Sequence, residues 1–217
     1  MSHIDNSNDT TDDITQCPVS EEARLEWLKQ NKSNIANNNN NSNNHNNNDN
    51  LTLSTEREIS GIPRTGPNDK NWIYPSEQQF YDAMKRKKID SNGNEFDMKT
   101  VIPIHNNVNE RVWKYIELWE NLPTTSGDEK LSLTSFKGDS KKITPRAWIR
   151  HYIFGMDLPF DRHDWIVNHS NTNGTAYNIN YVIDFYMNSN NNIYLDVRPK
   201  IDSYQGIKRR ILKFLGY

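Results

Sequence analysis

The chain has 217 residues, with 26 basic and 28 acidic side chains and a formal net charge of −2 at pH 7. This balance argues against bulk nucleic-acid binding, and no run of about 20 apolar residues is present that would span a bilayer as a helix. The acidic N-terminus lacks the apolar core of a secretory signal and the arginines of a cleaved mitochondrial presequence. The single cysteine, Cys17, excludes an internal disulfide, and no Cys/His spacing is typical of a zinc site.

The first fifty residues differ in composition from the rest of the chain. They are polar and acidic up to residue 16 and mostly asparagine from residue 37 onward, so they cannot bury a core. We predict a disordered or linker region over residues 1–50, interrupted by a Cys17-Pro18 motif and a short helix capped by Ser20. Residues 51–217 are rich in aromatic and β-branched side chains and are predicted to form one domain.

Three helices are predicted in the first part of this domain. Residues 76–79 (Ser-Glu-Gln-Gln) have the spacing of a capping box, which starts the first helix. Residues 107–110 (Asn-Val-Asn-Glu) show a related pattern, so the second helix is predicted to begin just after His105. The third helix is predicted to begin at Thr144-Pro145 and to end at Gly155.

After residue 160 the hydrophobic period changes from 3.6 to 2, which indicates strands. A short strand is predicted at residues 165–167, a turn at 171–174, and longer strands at 177–185 and 193–197, the last ended by Pro199. The expected fold class is therefore α+β, with helices packed on a small antiparallel sheet behind the disordered N-terminal region.

The C-terminal segment is predicted to form an amphipathic helix. Its apolar residues include Ile207, Ile211 and Phe214, and its other face carries Lys208 and Arg209 with two further cations. Such a helix could pack its apolar face on the core and leave the basic face in water, or it could lie on an anionic membrane surface.

His105 is the first candidate for a chemical role. The positive end of a helix macrodipole disfavours an imidazolium ion, so a histidine just before a helix should remain neutral with a lone pair to donate. That suits a metal ligand, whereas the alternative is a histidine that only packs at the helix entry. Glu110 has a similar structural alternative, as the second half of a capping box.

The charged run Asp161–Trp165 is the second candidate, because charges beside a strand are costly unless they are paired or used. Asp161 or Asp164 could orient His163 for proton transfer. Alternatively, an Arg–Asp pair could fix the helices to the sheet. The tryptophans, Trp72 among them, suit either a core or the walls of a flat porphyrin pocket with arginines at its edge.

Several blocks of sequence, taken together and in order, resemble the holocytochrome c-type synthases, which are the mitochondrial cytochrome c haem lyases. The blocks are residues 53–64, 72–78, 104–110, 159–165, 181–186 and 195–199, with a weaker match at Cys17-Pro18-Val19. Residues 136–142 and the segment from Tyr204 to Tyr217 resemble the cytochrome c1 branch of this family more closely than the cytochrome c branch.

The resemblance implies an enzyme that attaches haem covalently to an apocytochrome, by adding the cysteine thiols of a CxxCH segment across the two haem vinyl groups. It implies that His105 is the axial ligand of the haem iron and that Glu110 and His163 take part in catalysis. The residues implied in haem binding or delivery are Trp72, Arg162, His163 and Cys17.

The resemblance also implies ferrous haem b as a bound substrate, and apocytochrome c1, apocytochrome c or both as partners, with no nucleic acid. The expected location is the intermembrane-space side of the mitochondrial inner membrane, with peripheral attachment. One departure concerns His169-Ser170-Asn171, where the family commonly has Arg-Cys-Gly, and His169 is left without an implied role.

Two other functions remain open from the residues alone. The chain could be a chaperone or sensor that holds haem through Cys17 or His105 without making a covalent bond. It could also be a hydrolase that uses His163 with Asp164, although no nucleophile or metal set accompanies that pair.

Overall fold

The computed structural model describes residues 53–66, 70–86, 95–121, 129–171, 174–187 and 193–216. The predicted disordered region over residues 1–50, with Cys17 and its helix, lies outside these residues. The helices are α1 (Glu77–Arg86), α2 (Glu95–Glu120), α3 (Pro145–Phe154) and α4 (Tyr204–Phe214). The strands are β1 (Ile59–Pro63), β2 (Asn71–Ile73), β3 (Glu129–Gly138), β4 (Asp161–Asn171), β5 (Ala176–Met187) and β6 (Ile193–Pro199).

An antiparallel sheet with strand order β3-β4-β5-β6 forms the centre of the fold, and β1 and β2 pair separately as a small antiparallel ribbon. This confirms the α+β class. β1, β2 and β3 were not predicted, because the first two are short and β3 lacks a strict apolar period. The strand predicted at 165–167 is the middle of the longer β4, while the strands and the turn that follow it lie where they were predicted.

The two faces of the sheet bury different chemistry. The inner face carries Trp165, Val167, Tyr181 and Ile183, which pack with α2 into the main core. The outer face carries charged residues that meet the start of α3, where Thr144 and Arg198 both contact the Asp184 carboxylate. The alternation of buried and half-buried residues along β4 thus separates an apolar side from a polar side.

Helix α2 is one continuous helix, so the prediction of a helix start at residues 107–110 is wrong. Pro103 lies inside the helix, and it removes one backbone N–H without ending it. Buried side chains at helical spacing explain why: Met98 and Ile102 pack in a second apolar cluster with Phe80 and Met84 of α1. Burial of this stripe outweighs the local capping signal.

The caps of α1 and α3 agree with the predictions. Ser76 and Gln79 exchange backbone-to-side-chain hydrogen bonds of 3.1 and 3.3 Å, as a capping box requires. Thr144 caps α3 by accepting from Ala147 N, and Gly155 ends it in the left-handed conformation with φ of 67°.

Helix α4 buries Arg209 and exposes apolar side chains, so it does not pack its apolar face on the core. Arg209 is 4% exposed, whereas Phe214 is 89% exposed and Ile211 is also exposed. Gly206 lies on the packed side, where a Cβ would come within 2.0 Å of Lys200 O. None of the described helices combines the length and the apolarity needed to cross a membrane.

Candidate functional site

His105 lies in the middle of α2, on the stripe that faces the protein interior. Its side chain is 5% exposed and packs edge-on against the Phe80 ring of α1, with ring centroids 5.9 Å apart. Nδ1 lies 3.5 Å from Asn106 Oδ1, while Nε2 is buried and has no hydrogen-bond partner among the described residues. A helix side chain held by packing therefore presents one unshared ring nitrogen.

The protonation of His105 follows from these surroundings. Burial, with a smaller contribution from nearby His163, lowers the pKa of His105 to about 3, so the imidazole is neutral at physiological pH. The prediction of a neutral ring holds, but its cause is burial and not a helix amino terminus. Asn106 donates to Glu58 Oε2 at 2.7 Å, which turns its amide oxygen toward His105 Nδ1. With the proton on Nδ1, Nε2 carries the lone pair that a metal ligand needs.

His163 is the second buried histidine of this region, and it projects from the inner face of β4. Its Nε2 lies 3.0 Å from Asp161 Oδ2, and the other oxygen of Asp161 accepts from Arg162 N at 2.8 Å. An acceptor-only carboxylate fixes the proton of His163 on Nε2. Nδ1 then carries a lone pair, and it too lacks a partner among the described residues. This pair is suited to accept a proton.

The charged run Asp161–Trp165 divides between the two faces of the sheet. Arg162 and Asp164 project to the outer face, where Arg162 Nη2 donates to both oxygens of Asp164, at 2.9 and 3.1 Å. Lys200 Nζ also contacts this carboxylate at 2.8 Å. Asp161 therefore orients His163, as one alternative drawn from the sequence has it. The Arg162–Asp164 pair lies within β4 and does not itself join a helix to the sheet, so the clamp predicted as the other alternative is not formed by these two residues.

Glu110 does not complete a capping box, so that alternative is wrong. Its Oε1 accepts hydrogen bonds from Ser60 Oγ at 2.5 Å, Tyr74 OH at 2.9 Å and Gly61 N at 3.1 Å. Burial, with the added effect of this carboxylate, raises the pKa of Tyr74, so that its hydroxyl stays protonated and donates. Glu110 therefore fixes the β1–β2 ribbon to α2, five residues along the helix from His105.

Trp72 fixes the other side of the same ribbon. Its indole N–H donates to Leu133 O at 3.0 Å, and its ring meets Phe136 edge-on with centroids 5.2 Å apart. The Arg64 guanidinium lies over the ring, 4.8 Å from its centroid. None of these contacts brings Trp72 to His105. Cys17, also predicted to bind haem, lies outside the described residues.

A buried polar cluster at the C-terminal end of α2 was missed by sequence reasoning. Glu120 accepts from Arg209, with contacts of 2.7 and 2.6 Å, and from the Tyr181 hydroxyl. His169 is fully buried between Glu120 and Glu129, at 3.4 and 3.2 Å, and stacks on the Tyr177 ring. The 3.4 Å contact is an ion-pair distance without hydrogen-bond alignment. His169 thus has a structural environment that its sequence neighbours did not reveal.

His105 and His163 are near enough to interact electrostatically, and Glu110 holds the ribbon to the same helix, five residues from His105. Arg162 lies on the outer face and Trp72 on the far side of the ribbon. Within the described ranges, no three His, Cys, Asp or Glu side chains are arranged to hold a metal ion. His105 is therefore suited to bind a metal that has its other ligands from elsewhere.

Comparison with known proteins gives consistent matches over most of the chain. The family model described as cytochrome c/c1 heme lyase matches residues 1–214. A Schizosaccharomyces pombe protein, provisionally named a holocytochrome-c1 synthase, is 41% identical over 92% of this chain and 90% of its own length. The holocytochrome c-type synthases of Bos taurus and Homo sapiens are 44% and 42% identical over 73% and 74% of this chain.

The mammalian relatives are longer than the matched region, since the alignments cover 58% and 60% of their lengths. No solved structure matches the chain. The family-model match includes every described element from β1 to α4, because it ends at the last residue of α4.

Proposed function

The chain belongs to the cytochrome c/c1 haem lyase family, and from this premise we propose that it attaches haem covalently to an apocytochrome. The observation that supports this best is the buried, neutral His105, whose Nε2 has no partner among the described residues. Leaving a buried ring nitrogen without a hydrogen bond costs about 1–3 kcal/mol, which a protein tolerates where the atom has a ligand to bind. Haem iron is that ligand in our proposal, and haem is bound as a substrate.

Haem approaches His105 from the side of α1. Nε2 is not accessible to solvent in the described structure, and the Phe80 ring lies against the imidazole. Apolar side chains of the cluster that includes Phe80, Met84 and Met98 must therefore shift when the porphyrin enters. The same side chains then supply the apolar contacts that a flat macrocycle needs.

His163 acts as the proton acceptor for the substrate cysteines. The Asp161 carboxylate holds its Nε2–H and leaves the Nδ1 lone pair to take the thiol proton. The thiolate sulfur then forms a bond to one vinyl carbon, and the proton returns to the other vinyl carbon, so that no group leaves and no electron is gained or lost. Because two reactants must be aligned, positioning supplies most of the acceleration, with effective molarities of about 10⁵ M or more.

Glu110 is a positioning residue in this scheme. Its carboxylate is occupied by Ser60, Gly61 and Tyr74, so it acts by holding the ribbon against α2. Trp72 fixes the ribbon to β3 in the same way. Arg162 supports β4 from the outer face, and we propose that Cys17 assists haem delivery.

The finer assignments follow the family. We propose that the substrate is ferrous haem b, that the partner is apocytochrome c1 in preference to apocytochrome c, and that residues 51–217 form the catalytic domain. The proposed location is the intermembrane-space side of the mitochondrial inner membrane, with peripheral contact. The preference for cytochrome c1 is supported by the relative from Schizosaccharomyces pombe, which this chain matches over 90% of its length.

Co-expression with apocytochrome c1 or apocytochrome c tests the function. Haem that stays with the cytochrome on a denaturing gel is the expected result, with more product from apocytochrome c1. A chain that binds haem but yields no covalent product with either partner would be a chaperone or sensor instead.

The role of His163 is tested by Asp161→Asn, which keeps the shape of the pair but removes the negative acceptor. We expect haem binding at His105 to persist while the rate of attachment falls about 10²–10⁴-fold and its pH profile changes. An unchanged pH profile would mean that the pair is only structural.

A further inference from the structure

A pocket at the β6 edge of the sheet combines cationic and aromatic side chains. It is lined by Trp119, Arg146, Arg198, Arg210, Lys213 and Phe214. The Trp119 indole is fixed by a 2.7 Å hydrogen bond to Val197 O, and Lys213 Nζ lies 5.7 Å from the centroid of its ring. The pocket therefore has a rigid apolar wall beside several positive charges.

The carboxylates of this region are outnumbered by cations. Asp196 is contacted by Arg146, Arg150 and Arg198, at 3.5, 3.2 and 2.9 Å. Arg198 also pairs with Asp184. Asp196 is thus shared by three arginines, and one of them, Arg198, also pairs with the second carboxylate, Asp184.

Arg210 and Lys213 add two further positive charges to the lining of the pocket. In the part of the chain that the structure describes, neither forms an ion pair with a carboxylate, and Arg210 Nε is held by Pro199 O at 2.6 Å. Burial, followed by the neighbouring Arg198 and Arg146, lowers the pKa of Arg210. With these two, the cluster has five cations against two carboxylates, an excess of three positive charges that an anion would stabilise.

The pocket is too far from His105 to hold the carboxylates of the same haem. His105 and Trp119 are fourteen residues apart on one helix, which at 1.5 Å per residue separates them by about 21 Å along its axis. A porphyrin carboxylate does not extend that far from the iron. The anion that fits this pocket is thus a different ligand.

The surroundings of the pocket are apolar and exposed. On α4, the lining residue Phe214 continues the exposed row of Ile207 and Ile211. On α3, which contains Arg146, the exposed rings of Trp148 and Tyr152 pack against each other at a tilt of 39°, with centroids 5.1 Å apart. The remaining exposed apolar or aromatic residues of these two segments are Ile149, Ile153 and Phe154 on α3, Tyr204 on α4 and Leu215 just after it.

We propose that this pocket binds the phosphate of an anionic phospholipid while the exposed side chains of α3 and α4 enter the membrane surface. Arginine and lysine recognise phosphate by charge-assisted hydrogen bonds, and basic clusters next to apolar helix faces favour anionic bilayers. Tryptophan and tyrosine suit the boundary between the two. The inference deepens the proposed peripheral membrane contact and rests on it, but it is independent of the haem chemistry at His105.

Vesicle sedimentation with the full chain tests the proposal. We expect binding to vesicles of phosphatidylcholine mixed with phosphatidylglycerol, little binding to phosphatidylcholine alone, and a steep loss of binding with added salt. Equal binding to both vesicles, or binding to neither, would overturn the proposal.

Variants locate the site. Removing both unpaired cations with Arg210→Gln and Lys213→Gln should weaken binding about 25-fold, at about fivefold for each charge. The matched control is Lys208→Gln, which removes the same charge from α4 at a position that does not line the pocket, and it should change binding far less. Equal effects from the control and the pocket variants would overturn the proposal.

Phe214→Ala tests the apolar part without disturbing the core, because the ring is 89% exposed. It should weaken vesicle binding about tenfold or more with an unchanged unfolding midpoint. Haem attachment in a vesicle-free assay with soluble apocytochrome should be unaffected. Pocket variants that instead raise the apocytochrome concentration needed for half-maximal attachment would identify a protein partner and overturn the lipid assignment, while failure of the wild-type chain to attach haem would contradict the proposed function alone.

Discussion

His105 and Glu120 are two of the buried polar residues of α2, and their surroundings differ in kind. At His105 the ring is neutral, and its Nε2 has no partner in the described structure. At Glu120 the carboxylate contacts Arg209, Tyr181 and His169. His105 thus keeps an unshared ring nitrogen among the described residues, whereas both carboxylate oxygens of Glu120 are in contact with polar partners.

The electrostatics of the two points differ in the same way. Burial alone would raise the pKa of Glu120, but His169, Arg209 and Tyr181 together lower it below its ordinary value, so the carboxylate stays charged. At His105, burial disfavours the protonated ring, so the imidazole carries no charge. A satisfied buried charge specifies how α2, α4 and the sheet fit together, whereas an unsatisfied neutral nitrogen has a use only when a ligand arrives.

The largest effect expected from this comparison is that of His105→Ala. Removing the iron ligand should lower haem attachment about 10⁵-fold, because the positioning of the vinyl groups is lost. The Soret band of haem bound to the purified protein should disappear as well. Absorption spectra and the denaturing-gel assay measure the two outcomes.

The control for His105→Ala is His169→Ala at the other point of the helix. It should lower the free energy of unfolding by about 2–5 kcal/mol, because a fully buried ring is removed. Haem binding by the folded protein should remain. Loss of the Soret band in His169→Ala, or its persistence in His105→Ala, would contradict the assignment of His105 as the haem ligand and of His169 as a structural residue.

The second prediction concerns the ion pair that orients α4. Arg209→Met leaves the Glu120 carboxylate buried without its cation and should lower the free energy of unfolding by about 3–5 kcal/mol, measured by urea denaturation. Combining it with Glu120→Gln should restore part of the loss, because the uncompensated charge is then gone. Lys208→Met on the same helix should change stability little, and an equal loss in that variant would show that helix propensity and not the ion pair is responsible.

Sequence patterns predicted the features whose causes are local. The capping box at Ser76 and Gln79 and the ends of α3 at Thr144 and Gly155 depend on residues within a few positions of each other. The strands β5 and β6 were predicted from an apolar period of two, which their inner face maintains although neighbouring outer-face residues are buried as well.

Features that depend on distant residues were not predicted. The Asn107–Glu110 pattern indicated a helix start, but burial of Met98 and Ile102 against α1 extends α2 past it. The orientation of α4 is set by Arg209 and Glu120, which are 89 residues apart in sequence. For the candidate site, the sequence indicated which residues to consider, and the fold determined that Asp161 and not Asp164 orients His163.

The third prediction tests how the ribbon is held to the His105 side of α2. A Cβ at position 61 would lie 2.9 Å from Glu110 Oε2, so Gly61→Ala should displace this carboxylate and lower the free energy of unfolding by about 1–3 kcal/mol. Haem attachment should fall less than it does in His105→Ala, because the iron ligand remains. In a Glu110→Ala background the same substitution should be almost neutral, since the clashing group is gone. If the losses in the free energy of unfolding were additive in the double variant, the clash with Glu110 would not be their cause.

The smallest expected effect is a dependence of the free energy of unfolding on pH, which distinguishes His105 from Glu120. The pKa of His105 is about 3 in the folded protein, against 6.5 for an ordinary histidine, so the unfolded chain binds one more proton between these values. Stability should therefore fall as the pH drops below about 6.5, by at most about 1.4 kcal/mol per pH unit. The lowered pKa of Glu120 acts in the same direction, but only below the ordinary carboxylate range of about 4.5. Urea unfolding of the wild type and of His105→Gln from about pH 8 to about pH 5 isolates the histidine. Plots of stability against pH should run parallel for the two proteins above about pH 7, and only the wild type should fall more steeply below about pH 6.5. Curves that stay parallel over the whole range would mean that His105 takes up protons as easily in the folded protein as in the unfolded chain. The buried ring nitrogen of His105 would then not differ from the paired carboxylate of Glu120 in the way described above.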